Sequence, residues 1–313
     1  MEIDLSVSLE SGEATMALPN PIVGASGSFG FGGELSEIVN YSQIGAITIK
    51  SLAPFESPGN PAPRIAATGT GVMNSIGQPG PDIRDWVKND IDKIQNLDGR
   101  FIMSFWGKTV EDYKIAAATI APFQDRFVGM EINLSCPNVH GDGLFFAQVP
   151  DETNEIVSVV RKELGQECFI SSKLTAAVRS VPEIAQAAID AGANALTLFN
   201  TLLGLQIDPY TRRPTLGKGG GGYSGAAILP IVLRGVFEAH KAFPEIPIIG
   251  TGGVSTGKDA AAMMMCGATA VGVAAATFAD PNATVRIAKE LKEFCFETGV
   301  ANTSDLIGAI EMP

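Results

Sequence analysis

Histidine and tryptophan are scarce in this chain, with two of each in 313 residues. His140 reads as a loop residue, and His240, beside Lys241, as a surface position on a helix. With histidines so placed, neither a histidine-built metal site nor a Ser-His-Asp triad is expected. Cysteine is also sparse: Cys136, Cys168, Cys266 and Cys295, with no CxxC pair. That spacing indicates neither a zinc site nor a local iron–sulfur site. Free thiols are the default in a cytosolic chain, and the last three lie in apolar or helical stretches that read as packing. Basic residues are few, 22 against 34 acidic ones, for a net charge of −12 and a pI near 4.7. Binding to a nucleic-acid backbone needs a basic stripe, so that class is excluded; the acidity serves solubility. No apolar run approaches the roughly 18 residues of a membrane-spanning helix. The start, Met1 to Leu5, has neither the basic nor the apolar region of a signal peptide. The expectation is a cytoplasmic protein with no membrane or nucleic-acid partner.

What is present is a core. The chain is 45% hydrophobic, with a mean hydropathy of +0.19, enough to bury a substantial interior. Eight short apolar runs recur: 21–27, 44–50, 101–107, 127–135, 168–175, 195–200, 246–253 and 270–276. Between them lie helical candidates at 81–97, 109–121, 151–164, 181–191, 226–243, 257–266 and 281–298. Continuous apolar runs alternating with helices predict a parallel sheet. Eight such units in this length predict a (β/α)8 TIM barrel rather than an open doubly wound sheet. No G-x-G-x-x-G opens a helix after the first run, which weakens the dinucleotide-binding alternative. No linker divides the chain, so one domain spans 1–313. Three long connections, 51–80, 138–150 and 201–225, follow strands and would lie on the C-terminal face, where barrel active sites are built.

The densest chemistry is Asn133-Leu134-Ser135-Cys136-Pro137-Asn138, at the end of the fourth run. It sets a thiol between two carboxamides, a proton acceptor beside groups that both donate and accept hydrogen bonds. A free thiol titrates near pH 8.5 and accepts a proton reasonably well near neutrality. An isolated cysteine would more simply be an inert buried thiol; the flanking asparagines favour a base. Gly250–Val254 and Val273–Ala276 stand at the ends of the seventh and eighth runs, where barrels grip phosphate. Gly219–Gly225 is placed to close over the same ligand; tight turns alone would also explain the glycines. Lys50 and Lys173 each end an apolar run, where desolvation must be compensated. They would either stabilise negative charge on a ligand, the preferred reading, or pair with a strand-end carboxylate. Asn74, Asn133, Asn138 and Asn200 would singly be turn or cap residues. Converging on one face, they would form a neutral cage for amide and carboxylate groups. Met263–Met265 reads as core packing.

Together these residues resemble the dihydroorotate dehydrogenase family, in its soluble first class. The likeness runs from about Asn20 to Pro281, through Ala25–Gly30, Lys50-Ser51, Gly59–Arg64, Asn74–Gly77, Asn133–Asn138, Lys173-Leu174, Asn200-Thr201, Ser224-Gly225, Gly250–Val254 and Phe278–Pro281. The resemblance implies an FMN-binding barrel that oxidises dihydroorotate to orotate in pyrimidine synthesis. It implies that Cys136 removes the C5 proton while C6 passes hydride to flavin N5; the membrane-associated second class has serine there. Lys50, Asn74, Ile76, Gly77, Asn133, Asn138, Asn200 and Thr201 would hold the substrate. Ala25, Ser26, Gly27, Lys50, Ser51, Ser104, Asn133, Lys173, Ser224, Gly225, Gly252, Gly253, Ala274 and Ala275 would hold FMN, with Lys173 near the flavin pyrimidine ring. No metal is implied. Thr201–Pro214 and Gly30–Gly32 look like the NAD-linked type, which works with a second subunit carrying FAD and a [2Fe–2S] cluster, on a homodimeric core. This chain has no cysteine spacing for that cluster.

Three features depart from the family pattern. Phe105-Trp106 replaces small residues, with Ser104 where the NAD-linked type usually has asparagine. Trp106 would either narrow the flavin pocket or simply pack. Ala274-Ala275 replaces Gly-Thr in the phosphate grip, a change that keeps the backbone N–H groups. Lys218–Gly222 also differs from the usual loop. The alternatives are a dihydropyrimidine dehydrogenase-like enzyme acting on a related ring, a fumarate-using homodimer of the same family, and a non-catalytic flavin-binding scaffold. Lys50 and Asn138 favour a ring that bears a carboxylate.

Overall fold

Each of the eight apolar runs becomes a parallel strand, and the eight close on one another. A computed structural model describes residues 2–135 and 145–313. It begins with an antiparallel hairpin, β1 (Val7–Ser11) and β2 (Ala14–Leu18). Then come β3 (Ile22–Gly24) and β4 (Ala46–Thr48). The chain leaves the barrel for β5 (Ile65–Ala67), β6 (Val72–Asn74) and the helices α1 (Ile83–Asn89) and α2 (Ile91–Gln95). It returns through β7 (Phe101–Phe105), α3 (Val110–Ile120), β8 (Gly129–Asn133), α4 (Pro150–Leu164), β9 (Ile170–Lys173), α5 (Val181–Asp190) and β10 (Ala195–Leu198). A second excursion holds β11 (Leu202–Gly204), β12 (Ile207–Asp208), β13 (Arg213–Pro214) and β14 (Gly221–Ser224). Last come α6 (Leu229–Ala242), β15 (Ile248–Thr251), α7 (Gly257–Met265), β16 (Ala270–Val273), α8 (Ala276–Ala279) and α9 (Ala283–Thr298).

The barrel runs β3-β4-β7-β8-β9-β10-β15-β16 and back to β3, so neighbours in the barrel are successive strands of the βα repeat. Strands covered by side chains within and helices without are buried on both faces, which is why the runs are continuous rather than alternating. All five residues of β8 are buried. The β1–β2 hairpin lies against the N-terminal ends of the strands: Asn194, just before β10, donates to the Ser11 carbonyl at 2.9 Å.

Helix ends follow local chemistry. Thr109 and Asp112 form a reciprocal capping box on α3, and Thr256 and Asp259 do so on α7. In α4, Ile156, Val157, Val160 and Leu164 share the buried face, as a 3.6-residue period requires. The predicted helix 81–97 is two helices, divided at Asp90, whose φ of −126° is not helical. Asn89 and Asp90 compete with the backbone for hydrogen bonds and favour such breaks.

The connections expected as long loops, 51–80 and 201–225, contain strands that pair with each other. They form an antiparallel sheet in the order β11-β14-β6-β5, with Asn74 opposite Gly222 and Met73 opposite Tyr223. Thr70 and Tyr223 hydroxyls meet at 2.6 Å across it. The 138–150 connection lies largely outside the described residues.

His240 is only partly exposed at the surface. It is half-buried, and a Cβ on Gly267 would stand 2.2 Å from its ring, so only glycine admits the imidazole there. Met263 and Met264 are fully buried, and Cys168, Cys266 and Cys295 are free, buried thiols. Among the described residues no helix is long and apolar enough to cross a membrane.

Arg161 ties the lower end of the barrel together. Only 6% exposed, its guanidinium donates to the carbonyls of Gly165, Cys168 and Gly192 and to Asn194 Oδ1. Burial lowers its pKa, because its partners are dipoles rather than a carboxylate.

Arg161→Leu strands those acceptors and is expected to lower unfolding free energy by about 3 kcal/mol, read by urea denaturation. Burial lowers the pKa of His240 from 6.5, with Glu245 opposing more weakly. The unfolded chain therefore binds a proton at His240 that the folded chain resists. The stabilisation from a neutral His240 is present above pH 6.5 and fades as pH falls through the lowered value. His240→Gln should show a shallower loss of melting temperature over that acidic window than the unsubstituted protein.

Candidate active site

Two cavities open among the C-terminal ends of the barrel strands and share a wall. The first, of about 430 Å³, is lined by Ala25, Ser26, Ser224, Gly225, Gly252, Gly253, Ala274 and Ala275. The second, of about 580 Å³, is lined by Gly27, Lys50, Asn74, Ile76, Gly77, Asn133, Asn200 and Thr201. Ser26, Lys173, Asn200 and Thr201 belong to both. A larger cavity, of about 770 Å³, lies at the opposite end of the barrel beside the β1–β2 hairpin, Arg100 and His240. None of the residues predicted for the site lines it.

The first cavity is a backbone cradle. Gly252 and Gly253 follow β15, Ala274 and Ala275 follow β16, and Gly225 precedes the 3-10 turn that leads into α6. The N–H groups of Gly252, Gly253 and Ala275 have no backbone acceptor among the described residues. Gly253 holds φ +82°, and a Cβ there would stand 2.5 Å from the Leu229 nitrogen. Exposed N–H groups in a glycine turn are what a phosphate monoester needs. The tip of the β5–β6 turn, Thr70 and Gly71, closes one side. A phosphate-bearing ring ligand such as FMN fits this donor set: N–H groups and serine hydroxyls at one end, the Lys173 ammonium at the other.

Lys173 is 5% exposed, and its Nζ lies 3.6 Å from Glu131 Oε1 inside the barrel. Lys173 therefore lines both cavities and pairs with a buried carboxylate. Glu131, on β8 and 3% exposed, was missed from sequence; the signal was a lone charge within an apolar run. Lys50 stands two residues beyond β4, on the wall of the second cavity, with Nζ 3.4 Å from Gln78 Oε1. Gln78, Asn60, Ser75 and Ser135 also line this cavity and were not predicted. Gln78 adopts φ +50°, rare for a residue with a side chain.

The predicted asparagines converge: Asn74, Asn133 and Asn200 all face the second cavity. Ser51 and Ser104 line neither cavity. They stand one layer behind, with their hydroxyls 2.8 Å apart, and Asn133 Nδ2 donates to Ser51 Oγ at 3.0 Å. Trp106 also lines neither cavity; it packs edge-on against Phe55 at 5.3 Å between centroids, beneath the first excursion. Of its two readings, packing is the one realised. Cys136, Asn138 and His140 lie outside the described residues. No group of three or more metal-ligating side chains occurs among the described residues.

Residues 8–295 match the family model described as dihydroorotate dehydrogenase. A relative from Geobacter metallireducens, named dihydroorotate dehydrogenase B (NAD(+)), catalytic subunit, is 40% identical over 309 residues, covering 99% of both chains. One of the same name from Alkaliphilus oremlandii is 38% identical over 297 residues, covering 95% of this chain and 97% of the relative. A crystal structure of DHODH from Eimeria tenella, in complex with ferulenol, superposes with a TM-score of 0.81. It covers 99% of this chain and 89% of that one at 21% identity, a likeness of fold.

The cradle generates a direct expectation. Gly253→Ala adds roughly 1–3 kcal/mol of backbone strain and a contact with Leu229. Purified Gly253→Ala protein should retain FMN about tenfold or more weakly than the unsubstituted chain, read from the visible flavin absorbance after dialysis.

Proposed function

Because the chain belongs to the dihydroorotate dehydrogenase family, we propose that it oxidises dihydroorotate to orotate in pyrimidine biosynthesis, as a single FMN-binding barrel domain in the cytoplasm. The observation that carries this reading is the pair of cavities joined at Lys173: a phosphate cradle on one side and an asparagine cage with Lys50 on the other. When bound, FMN supplies the two-electron acceptor for the hydride that leaves C6 of the substrate ring.

The chain's own residues do the rest. Asn74, Asn133 and Asn200 offer paired donors and acceptors to the ring amides, with Thr201 and the Ile76-Gly77 backbone beside them. Lys50 meets the ring carboxylate, joined by Asn138 from the neighbouring segment. Cys136 takes the C5 proton as the ring double bond forms, so one proton and one hydride leave in all. Lys173 holds positive charge at the junction of the cavities, where it would favour electron-rich states of a bound flavin. Losing a positioned base costs about 10²–10⁴-fold in rate.

Electron transfer onward belongs to a partner. Both relatives described above are named catalytic subunits of an NAD(+)-linked enzyme, and Cys168, Cys266 and Cys295 are separate buried thiols. We place FAD and a [2Fe–2S] cluster on a second subunit. We place self-association into a homodimeric core on this chain, supported by the exposed Leu203, Leu205, Ile207 and Tyr210 of the second excursion.

The test is anaerobic reduction of purified holoprotein by dihydroorotate, followed at the visible flavin band, beside Cys136→Ser. Rapid bleaching, slowed about a hundredfold or more in the variant, is expected. A yellow protein that dihydroorotate does not bleach would move the substrate to another dihydropyrimidine; a colourless protein that takes up no FMN would sink the enzyme reading.

A further inference from the structure

Behind the second cavity the buried polar side chains form one continuous chain. Asn200 Nδ2 donates to Ser135 Oγ at 2.8 Å, and Ser135 Oγ donates to Asn133 Oδ1 at 3.1 Å. Asn133 Nδ2 donates to Ser51 Oγ at 3.0 Å, and Ser51 Oγ lies 2.8 Å from Ser104 Oγ. Ser104 Oγ donates to Glu131 Oε1 at 3.2 Å. The chain crosses from the end of β10 to the interior of β8, and its last member is the carboxylate that pairs with Lys173.

Its direction is not arbitrary. A carboxylate only accepts, so Ser104 spends its single proton on Glu131. The Ser104 oxygen must then accept from Ser51, and the Ser51 oxygen must accept an N–H from Asn133. That turns Asn133 Oδ1 towards Ser135, which donates to it and accepts in turn from Asn200. The other end of Asn200 is also held, because its Oδ1 accepts the Thr201 N–H at 2.8 Å. Ser26, the nearest side branch, gives its proton to the Ile49 carbonyl at 3.1 Å. Every link therefore points towards Glu131.

We propose that Glu131 is a positioning residue that acts through Ser104 and Ser51, from the end opposite to the Thr201 N–H that holds Asn200, to fix which way the Asn133 carboxamide faces. It thereby sets the pattern of donors and acceptors that the cavity offers to a ring bearing amide groups. Glu131 touches neither cavity; it works by giving the hydroxyls between them one direction. Reversing one carboxamide would set N–H against N–H at the ligand and leave a buried polar group unpaired, which is costly. This inference rests on the second cavity being the dihydroorotate and orotate site.

The test is orotate affinity of the holoprotein, by titration calorimetry, in Ser104→Ala, Ser135→Ala and the double variant. Among the described residues, Ser104 and Ser135 are linked through Ser51 and Asn133. Each single change should weaken orotate by at most about tenfold, the worth of one directed hydrogen bond, because the far end still holds Asn133. The double variant frees Asn133 from both ends and should weaken orotate by more than the product of the two single losses, because either end alone still gives the chain its direction. Losses that simply multiply would mean two independent local contacts and would overturn the proposal, as would wild-type affinity in the double variant. Should Ser104→Ala fail to fold, Glu131→Gln with Ser135→Ala gives the same cycle, since a neutral amide both donates and accepts and no longer dictates direction. FMN content and urea midpoint, read in each variant, separate a cofactor or folding loss from an orotate loss. An unsubstituted protein that holds FMN but binds no orotate would overturn both this inference and the site assignment beneath it; multiplying losses on intact wild-type binding overturn this one alone.

Discussion

Closure of eight parallel strands is the constraint from which the rest follows. A parallel sheet has no solvated face to spare and an open one has two bare edges. Closing the ring from β16 to β3 removes the edges, and helices cover the outside. Parallel strands also deliver all their C-terminal ends to one rim. Residues from β8, β9, β10, β15 and β16, far apart in the chain, thus arrive around one pair of cavities. The rim has no regular hydrogen-bond pattern of its own, which leaves the N–H groups at Gly252, Gly253 and Ala275 for a ligand. The same closure creates a dry interior, where Glu131 and Lys173 must satisfy each other. An unpaired charge in that position would be strongly destabilising.

The site divides its work between backbone and side chains. The first cavity is made of peptide groups and small residues. Alanines at 274 and 275 leave it intact, because the N–H groups do not depend on what the side chain is. The second cavity is lined by carboxamides and a lysine, whose orientation depends on what stands behind them. Ser51 and Ser104 belong to that rear layer. Their serine hydroxyls can be turned by a neighbour, so the layer can carry direction.

The eight barrel strands were legible because burial on both faces writes itself as unbroken apolar runs. Asn133 and the paired glycines were legible as cavity-lining residues because their types are unusual at strand ends. The strands β5, β6, β11 and β14 were not. Each is three or four residues long and two of the four carry glycine, so no period of two can be read, and β14 finds its partner β6 almost 150 residues away. Glu131 was hidden for a related reason: its partner Lys173 lies on the next strand, and only the barrel brings them together. His240 beside Lys241 looked like a solvated pair, yet the absence of a side chain at Gly267 lets the helix draw the imidazole inward. Trp106 was readable as large and apolar, but not which way it points; Phe55, in the first excursion, decides that.

The roof over the cavities is woven from both excursions, with β6 of one hydrogen-bonded to β14 of the other. Barrel enzymes diversify by exchanging single βα-loops, a modularity that presumes each loop folds against the frame alone. Here neither excursion is such a module. A transplant of one without the other would bring an unpaired edge strand into the mouth of the site. New specificities in this scaffold would therefore be reached by inheriting the two segments together, or by point changes along their shared seam.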